Sequence, residues 1–252
     1  MSIDYAKALK YAVFCQKVYE KFDPLLKFDG ITVKPLLIND PKTDTQCAIL
    51  SEGTAATIVF RGSESSEDWE TDFNTTLERG QFDQKVIRDL IVEPKEKTYP
   101  YAGSNSSGAL IHRGFVAAYF AVRGQIHDYI KSSGVSSVVA TGHSLGGALA
   151  TLCAVDIQYN FSDQVTIEAY TYGAPKVGND GFQESYNQRV SNSYRVVHGM
   201  DLVPELPRWW QGYRAVDKEI RIGRRFSPNF ISQRFKDHYI DRYIAVLGQL
   251  AK

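Results

Sequence analysis

The segment Gly142-His143-Ser144-Leu145-Gly146 places one hydroxyl inside a G-x-S-x-G pentapeptide. Val138-Val139-Ala140-Thr141 before it reads as a buried strand, and the small residues Gly147, Ala148 and Ala150 after it open a helix. The pentapeptide alone is a weak pattern. Strand, turn and helix in immediate succession are the context that gives it meaning. So sharp a turn holds the serine in a strained backbone conformation and aims its Oγ outwards. Side chains two residues before and after would collide there, which accounts for Gly142 and Gly146. The helix N-terminus favours negative charge, so the N–H of Leu145 suits an oxyanion. The chemistry on offer is nucleophilic attack by Ser144. The competing reading is a glycine-rich tight turn with an incidental serine.

A serine hydroxyl needs a base, and the base needs a carboxylate to hold it. With a nucleophile on such a turn, the chain order is serine, acid, histidine. Only His198 and His238 follow Ser144, and only His238 leaves room for a strand and an acid before it. Asp201 stands out as the acid. It comes just after an expected strand, and Leu202-Val203-Pro204 then interrupts the chain. A carboxylate at the C-terminal edge of a parallel strand shares a rim with the nucleophile. Asp163, Asp180, Asp217 and Asp237 are its rivals. Asp163 and Asp180 read as residues at helix starts with a capping role, and Asp237, adjacent to His238, as pointing elsewhere. His112, His143 and His198 read as packed structural histidines, and no metal-ligand spacing such as HExxH occurs. Val59-Phe60-Arg61-Gly62-Ser63 runs from a strand into a Gly-Ser turn. This suggests the N–H of Ser63, helped by its hydroxyl, as a second oxyanion donor.

These side chains need elements to position them. Apolar runs at 48–50 and 57–60 predict a hairpin around Glu52-Gly53, and 137–141, 166–172 and 194–198 read as further strands. Phe115, Tyr119, Val122, Ile126, Tyr129 and Ile130 mark one face of a helix ending at Ser133-Gly134. Helices are also expected over 148–159 and 180–187, with an amphipathic helix opening the chain from Tyr5. Strands alternating with helices predict an α/β fold with a mainly parallel sheet covered on both faces. Residues 100–108 read as a surface loop too short to separate domains. With no internal repeat or linker, residues 1–252 are expected to form a single domain.

Bulk properties narrow the function. Lys plus Arg and Asp plus Glu both number 29, so no global charge points to nucleic acid. Cys15, Cys47 and Cys153 are odd in number and widely spaced, which suggests neither a disulfide framework nor a zinc site. No stretch approaches the roughly 20 apolar residues of a transmembrane segment. The N-terminus lacks the charge and apolar pattern of a signal peptide. A cytoplasmic location is therefore expected, with a mature secreted form as the alternative.

Taken together, the motifs resemble the class 3, or fungal-type, lipase family of the α/β-hydrolase superfamily. The resemblance is carried by IVFRGS at 58–63, Asp68-Trp69 with Asp72, IHRGF at 111–115, TGHSLGGALA at 141–150, YTYGAPKVGNDGF at 170–182, RVVHGMDLVPELP at 195–207 and DHYI at 237–240. It implies an α/β-hydrolase fold with a short lid. It also implies Ser144, Asp201 and His238 as the catalytic triad, Ser63 and Leu145 as the oxyanion hole, and no metal or cofactor. Residues 63–75 take the lid position. Glu64, Glu67, Asp68, Glu70 and Asp72 crowd it, while Trp69 and Phe73 fall at i,i+4 spacing on one helical face. The chain lacks the several disulfides and the leader usual in secreted fungal members, and 81–108 looks longer and more charged. The function expected is carboxylic ester hydrolysis, with acylglycerols the leading substrates and transient contact with a lipid interface. Phospholipase A1, short-chain esterase and feruloyl-type esterase are alternatives of the same chemistry. A catalytically idle lipid-binding or interaction module is the alternative of another class. Trp209 and Trp210 are expected to cover the sheet end, the competing reading being a lipid-facing role. The basic residues of the last third read as a solvated face, the competing reading being attraction to an anionic lipid surface.

Overall fold

The computed structural model describes residues 3–63, 109, 111–225 and 230–252, without the side chains of 230 and 231. The expected lid beyond Ser63, with Trp69 and Phe73, and the loop at 100–108 lie outside the described residues.

Helix α1 (Tyr5–Lys17) is capped by Asp4, whose carboxylate accepts from the N–H groups of Ala6 and Lys7. Strands β1 (Leu36–Asp40), β2 (Thr45–Glu52) and β3 (Ala55–Phe60) follow. Then come α2 (Arg113–Ser133), β4 (Ser137–His143), α3 (Leu145–Phe161), β5 (Thr166–Tyr172), α4 (Asp180–Arg189) and β6 (Ser193–His198). After two 3₁₀ turns, β7 (Glu219–Ile222), α5 (Phe230–Lys236) and α6 (Ile240–Leu250) complete the described chain. The predicted hairpin is β2–β3, turning at Gly53 in the left-handed region. Gly134, also left-handed, ends α2 where expected.

The seven strands lie in sequence order, β1 to β7. β1–β2 and β2–β3 pair antiparallel, and each pairing from β3 to β7 is parallel. Neighbouring strand residues face opposite layers, as the pleat requires. Ile58, Phe60, Val138 and Ala140 join a core under α2, α3 and α4, whereas Val59, Val139, Tyr170 and Tyr172 join one under α1 and α6. This is the mainly parallel, helix-covered α/β-hydrolase sheet expected. α3 is buried along most of its length because its small residues let it lie close on the sheet. It begins at Leu145 rather than at 148, since the turn residues themselves enter its first turn. β1, β7 and α5 escaped the sequence reading because each is short and only weakly periodic.

β3 to β6 all run towards one rim. Arg61–Ser63, Ser144, Gly173 and the 199–201 segment all leave their strands there. No helix among the described residues is long and apolar enough to cross a membrane.

Candidate active site

Ser144 bridges β4 and α3 with φ 58° and ψ −130°, a conformation non-glycine residues rarely adopt. Such strain costs about 1–3 kcal/mol and persists only where the surroundings enforce it. Here the Ser144 N–H donates to the Tyr172 carbonyl at 2.9 Å, and the Ser144 carbonyl accepts from Gly147 N–H at 2.9 Å. The glycines behave as the steric argument requires. A Cβ on Gly142 would meet Gly147 N at 2.7 Å, one on Gly146 would meet Phe60 carbonyl carbon at 2.9 Å, and one on Gly147 would meet Ala174 Cβ at 2.6 Å. The Ser144 Oγ is buried and makes no hydrogen bond among the described residues.

Asp201 is fully buried two residues beyond Gly199. Its Oδ1 accepts from Val203 N–H at 2.9 Å, and both oxygens face His238 Nδ1, at 2.9 and 2.8 Å. The Tyr243 hydroxyl, from α6, donates to Oδ2. A carboxylate only accepts, so Nδ1 of His238 carries the proton in this arrangement and Nε2 is left as the base. Burial, then the Asp201 charge, pushes the Tyr243 phenol well above its usual range and keeps it a donor. Gly173 lies beneath the assembly: a Cβ there would meet Asp201 Oδ2 at 2.7 Å, Tyr243 Oη at 2.9 Å and His238 Cε1 at 3.0 Å. Gly173 directly follows Tyr172, whose carbonyl holds Ser144.

Two further contacts tie the base to the elbow and to the acid loop. His143, beside the nucleophile, donates through Nε2 to the His238 carbonyl at 2.7 Å, with the two rings 4.6 Å apart. Burial, then the nearby His238, lowers its pKa well below the usual imidazole range, so His143 is neutral. Its unprotonated Nδ1 accepts from the Tyr19 hydroxyl at 3.0 Å. Asp237 accepts from Met200 N–H at 2.7 Å through Oδ2 and from Gln233 Nε2 at 2.6 Å through Oδ1, while its carbonyl accepts from His198 Nδ1 at 3.1 Å. Asp237 thus points away from His238 and braces the acid-bearing loop instead.

Ser63 is exposed, and Leu145 opens α3, where the first N–H groups have no intrahelical acceptor. The first turn of α3 packs on the end of β3, since a Cβ on Gly146 would stand 3.0 Å from Arg61 carbonyl carbon. Gly62 leaves room for the His143 carbonyl, 2.8 Å from where its Cβ would be, and for the Tyr19 ring. Both expected donors are therefore carried by segments that pack around the same elbow.

Among the rival acids, Asp217 precedes β7 on the edge opposite the nucleophile, and its N–H donates to Asn187 Oδ1 at 2.7 Å. Asp163 follows the end of α3 instead of preceding a helix, so it caps no helix start. Asp180 occupies the first turn of α4, but Asn179 is the cap and Asp180 pairs with Arg214 at 2.7 Å. Trp209 and Trp210 do not cover the sheet end. They stand 66% and 65% exposed. The brace residues Tyr19, Tyr243 and Asp237 went unrecognised in the sequence. Tyr243 had a faint signal, five residues beyond the base on an amphipathic helix; Tyr19, 124 residues from His143, had none.

The model of the family described as Lipase (class 3) matches residues 57–210, more than half of the chain. A secreted mono- and diacylglycerol lipase of Fusarium solani is 36% identical over 166 residues, covering 64% of this chain and 42% of the relative. A chloroplastic phospholipase A(1) of Arabidopsis thaliana is 26% identical over 190 residues, covering 71% and 39%. The chain thus spans about two fifths of the length of these curated relatives. A solved triacylglycerol lipase, described as having a serine protease triad as its catalytic centre, superposes with TM-score 0.67 at 25% identity, covering 88% of this chain and 81% of that one. The elbow, the acid and the histidine all lie in a chain that, on this match, belongs to the class 3 lipase family.

Proposed function

We propose that this protein hydrolyses carboxylic esters of lipids, acylglycerols first, with Ser144, His238 and Asp201 as triad. The observation that carries the reading is the two-oxygen grip of buried Asp201 on His238 Nδ1, at 2.8 and 2.9 Å, beside a strained serine. His238 Nε2 takes the Ser144 proton as Oγ attacks the ester carbonyl. The developing oxyanion is received by the N–H of Leu145 and by Ser63. Collapse of the tetrahedral intermediate expels the alcohol, which His238 protonates, and leaves an acyl-enzyme. Water, activated by the same base, releases the fatty acid. No group other than these side chains and water has to move a proton.

Residues 1–252 act as one domain in this reading, because the helices of both layers share a single sheet. Interfacial contact through Trp69 and Phe73 of the lid belongs to the proposal and rests on the sequence pattern. A secreted relative fits a mature secreted form; the cytoplasmic expectation rests on Cys15, Cys47 and Cys153, all free and buried. The Arabidopsis relative favours a second reading, phospholipase A1, which uses the same machinery on a phospholipid.

A fluorophosphonate probe tests the reaction, and a substrate panel tests the specificity. Labelling is expected at Ser144 and absent in Ser144→Ala. Turnover is expected on tributyrin and monoacylglycerol above phosphatidylcholine. Faster turnover of phosphatidylcholine selects the phospholipase reading. An unlabelled Ser144 with no turnover selects the idle binding module.

A further inference from the structure

Trp209 and Trp210 form adjoining exposed aromatic surface, their rings 5.9 Å apart in edge-on contact. Large exposed apolar surface is informative where it is contiguous. The turn that carries it is firmly built. Arg208 N–H donates to Gln211 Oε1 at 2.8 Å, Gly212 closes the turn in the left-handed region, and Arg214 donates to the Trp209 carbonyl at 3.0 Å. Two solvent-facing indoles held on a tight turn are not the product of fraying.

The turn sits on the rim of the nucleophile. Lys176 N–H donates to the Leu206 carbonyl at 2.7 Å, and its Nζ donates to the Glu205 and Pro207 carbonyls. Arg214 N–H donates to the Gly178 carbonyl at 2.8 Å. Lys176 and Gly178 belong to the segment leaving the C-terminal end of β5, next to Ser144. Among the described residues, the charge around the pair is basic. Arg208 lies 5.7 Å over the Trp210 ring. Arg208 and Arg234 converge on one Glu205, at 3.0 and 2.5 Å, and Arg214 pairs with Asp180 at 2.7 Å. Among the described residues, Lys176, Arg208 and Arg214 thus lie about the two carboxylates of Glu205 and Asp180.

We propose that the Trp209–Trp210 turn is a docking surface for an anionic lipid–water interface that brings the catalytic rim onto its substrate. The proposal rests on the lipid-ester reading above. Indole rings favour the headgroup level of a lipid surface, and cationic side chains beside them are drawn to anionic headgroups. A second copy of the chain fits poorly. A stable interface needs on the order of 1,000 Å², far more than two side chains, and a symmetric pairing would set arginine against arginine.

The test uses the Ser144→Ala protein, so that no lipid is consumed, and vesicles of phosphatidylcholine with or without phosphatidylglycerol. Trp209→Ala with Trp210→Ala is expected to lower partition onto the mixed vesicles at least about tenfold. Arg208→Gln with Arg214→Gln is expected to abolish the preference for phosphatidylglycerol. The third tryptophan, Trp69, is removed as Trp69→Phe, after which vesicles should blue-shift the remaining emission. Vesicle binding that is absent, or equal in parent and double tryptophan variant, overturns the proposal, as does a tryptophan-dependent dimer seen by sedimentation. Hydrolysis of dissolved p-nitrophenyl butyrate, measured with Ser144 intact, is expected to survive the tryptophan changes. Hydrolysis by the unchanged protein with no vesicle binding by its Ser144→Ala form sinks the docking surface alone; absence of hydrolysis in the unchanged protein sinks the ester-hydrolase reading.

Discussion

At the scale of single residues, the site is organised around a carboxylate that accepts from three donors: Val203 N–H, His238 Nδ1 and Tyr243 Oη. Asp201→Asn keeps the volume but places an NH₂ where a donor already points, which favours the wrong histidine tautomer. The expected loss is roughly 10⁴-fold in kcat on a dissolved ester. Tyr243→Phe removes one donor of three and is expected to cost much less, about 1 kcal/mol of transition-state stabilisation for one hydrogen bond. A Tyr243→Phe enzyme as dead as Asp201→Asn would show that Tyr243 does more than hold the acid. Ser63 carries a different prediction. Ser63→Ala deletes a hydroxyl and keeps the N–H, so roughly 10²–10³ should be lost from kcat. KM should hardly move, because the charge exists only in the transition state. A change confined to KM would make Ser63 a substrate-binding residue.

At the scale of elements, α1 reaches the active site although it precedes the matched family region. It lies on the same sheet face as α6, takes the Tyr172 hydroxyl on its Ala8 carbonyl at 2.5 Å, and leads into Tyr19. Tyr19 connects the Gly62 segment, next to the proposed oxyanion donor Ser63, with His143 and through it with the His238 carbonyl. Tyr19→Phe would leave a buried imidazole nitrogen without its donor, at a cost of about 1–3 kcal/mol. The expected result is a lower thermal midpoint together with a fall in kcat of about tenfold at unchanged KM. Loss of stability with kcat intact would reduce Tyr19 to a packing residue. On the opposite layer, α2 and α3 are locked by a buried cluster. Asp156 Oδ2 accepts from Tyr119 at 2.7 Å, Arg123 Nε at 2.8 Å and His127 Nε2 at 2.6 Å. Asp156→Ala removes the buried acceptor shared by three donors and should destabilise the fold by roughly 3–5 kcal/mol, read from denaturant midpoints. A loss below about 1 kcal/mol would mean that water reaches Arg123.

At the scale of the whole molecule, one half-buried cation makes stability depend on pH. Burial foremost lowers Lys176 to about 8, against roughly 10.4 for an unfolded lysine. Between those values the unfolded chain holds more protons than the folded one. The contribution of Lys176 to stability therefore rises with pH across this window, and its burial cost is complete only below about pH 8. Lys176→Met should abolish that dependence. Urea midpoints from pH 8 to 10 should show the unchanged protein gaining on the variant, and a constant difference between the two would contradict the assignment. Buried tyrosines act in the opposite sense only at higher pH. Tyr11, raised to about 12 mainly by burial, stays neutral in the fold after the unfolded phenol ionises.

The chain by itself determined what short-range sterics decide. A serine in a positive-φ turn needs small residues on either side, so Gly142, Gly146 and Gly147 announced the elbow, and β4 with α3 followed from the pattern around it. Period-2 and period-3.6 runs placed β5, β6, α2 and α4 to within a few residues. Asp201 and His238 could be chosen because chain order and strand ends are sequence properties. Asp217 lost its claim only when the sheet placed it on the edge opposite Ser144, and Asp163, set aside in the sequence as a helix cap, proved to follow the end of α3. Tertiary structure alone decided which distant groups support the site. Tyr19 finds His143 across 124 residues, and Asp237, beside the base in sequence, turns away to hold the acid loop. It also left Trp209 and Trp210 in solvent where hydrophobicity argued for cover. Hydrophobicity says that a side chain gains by leaving water. Whether a neighbour stands there to receive it is settled by how the loops leave the sheet, and no local pattern records that.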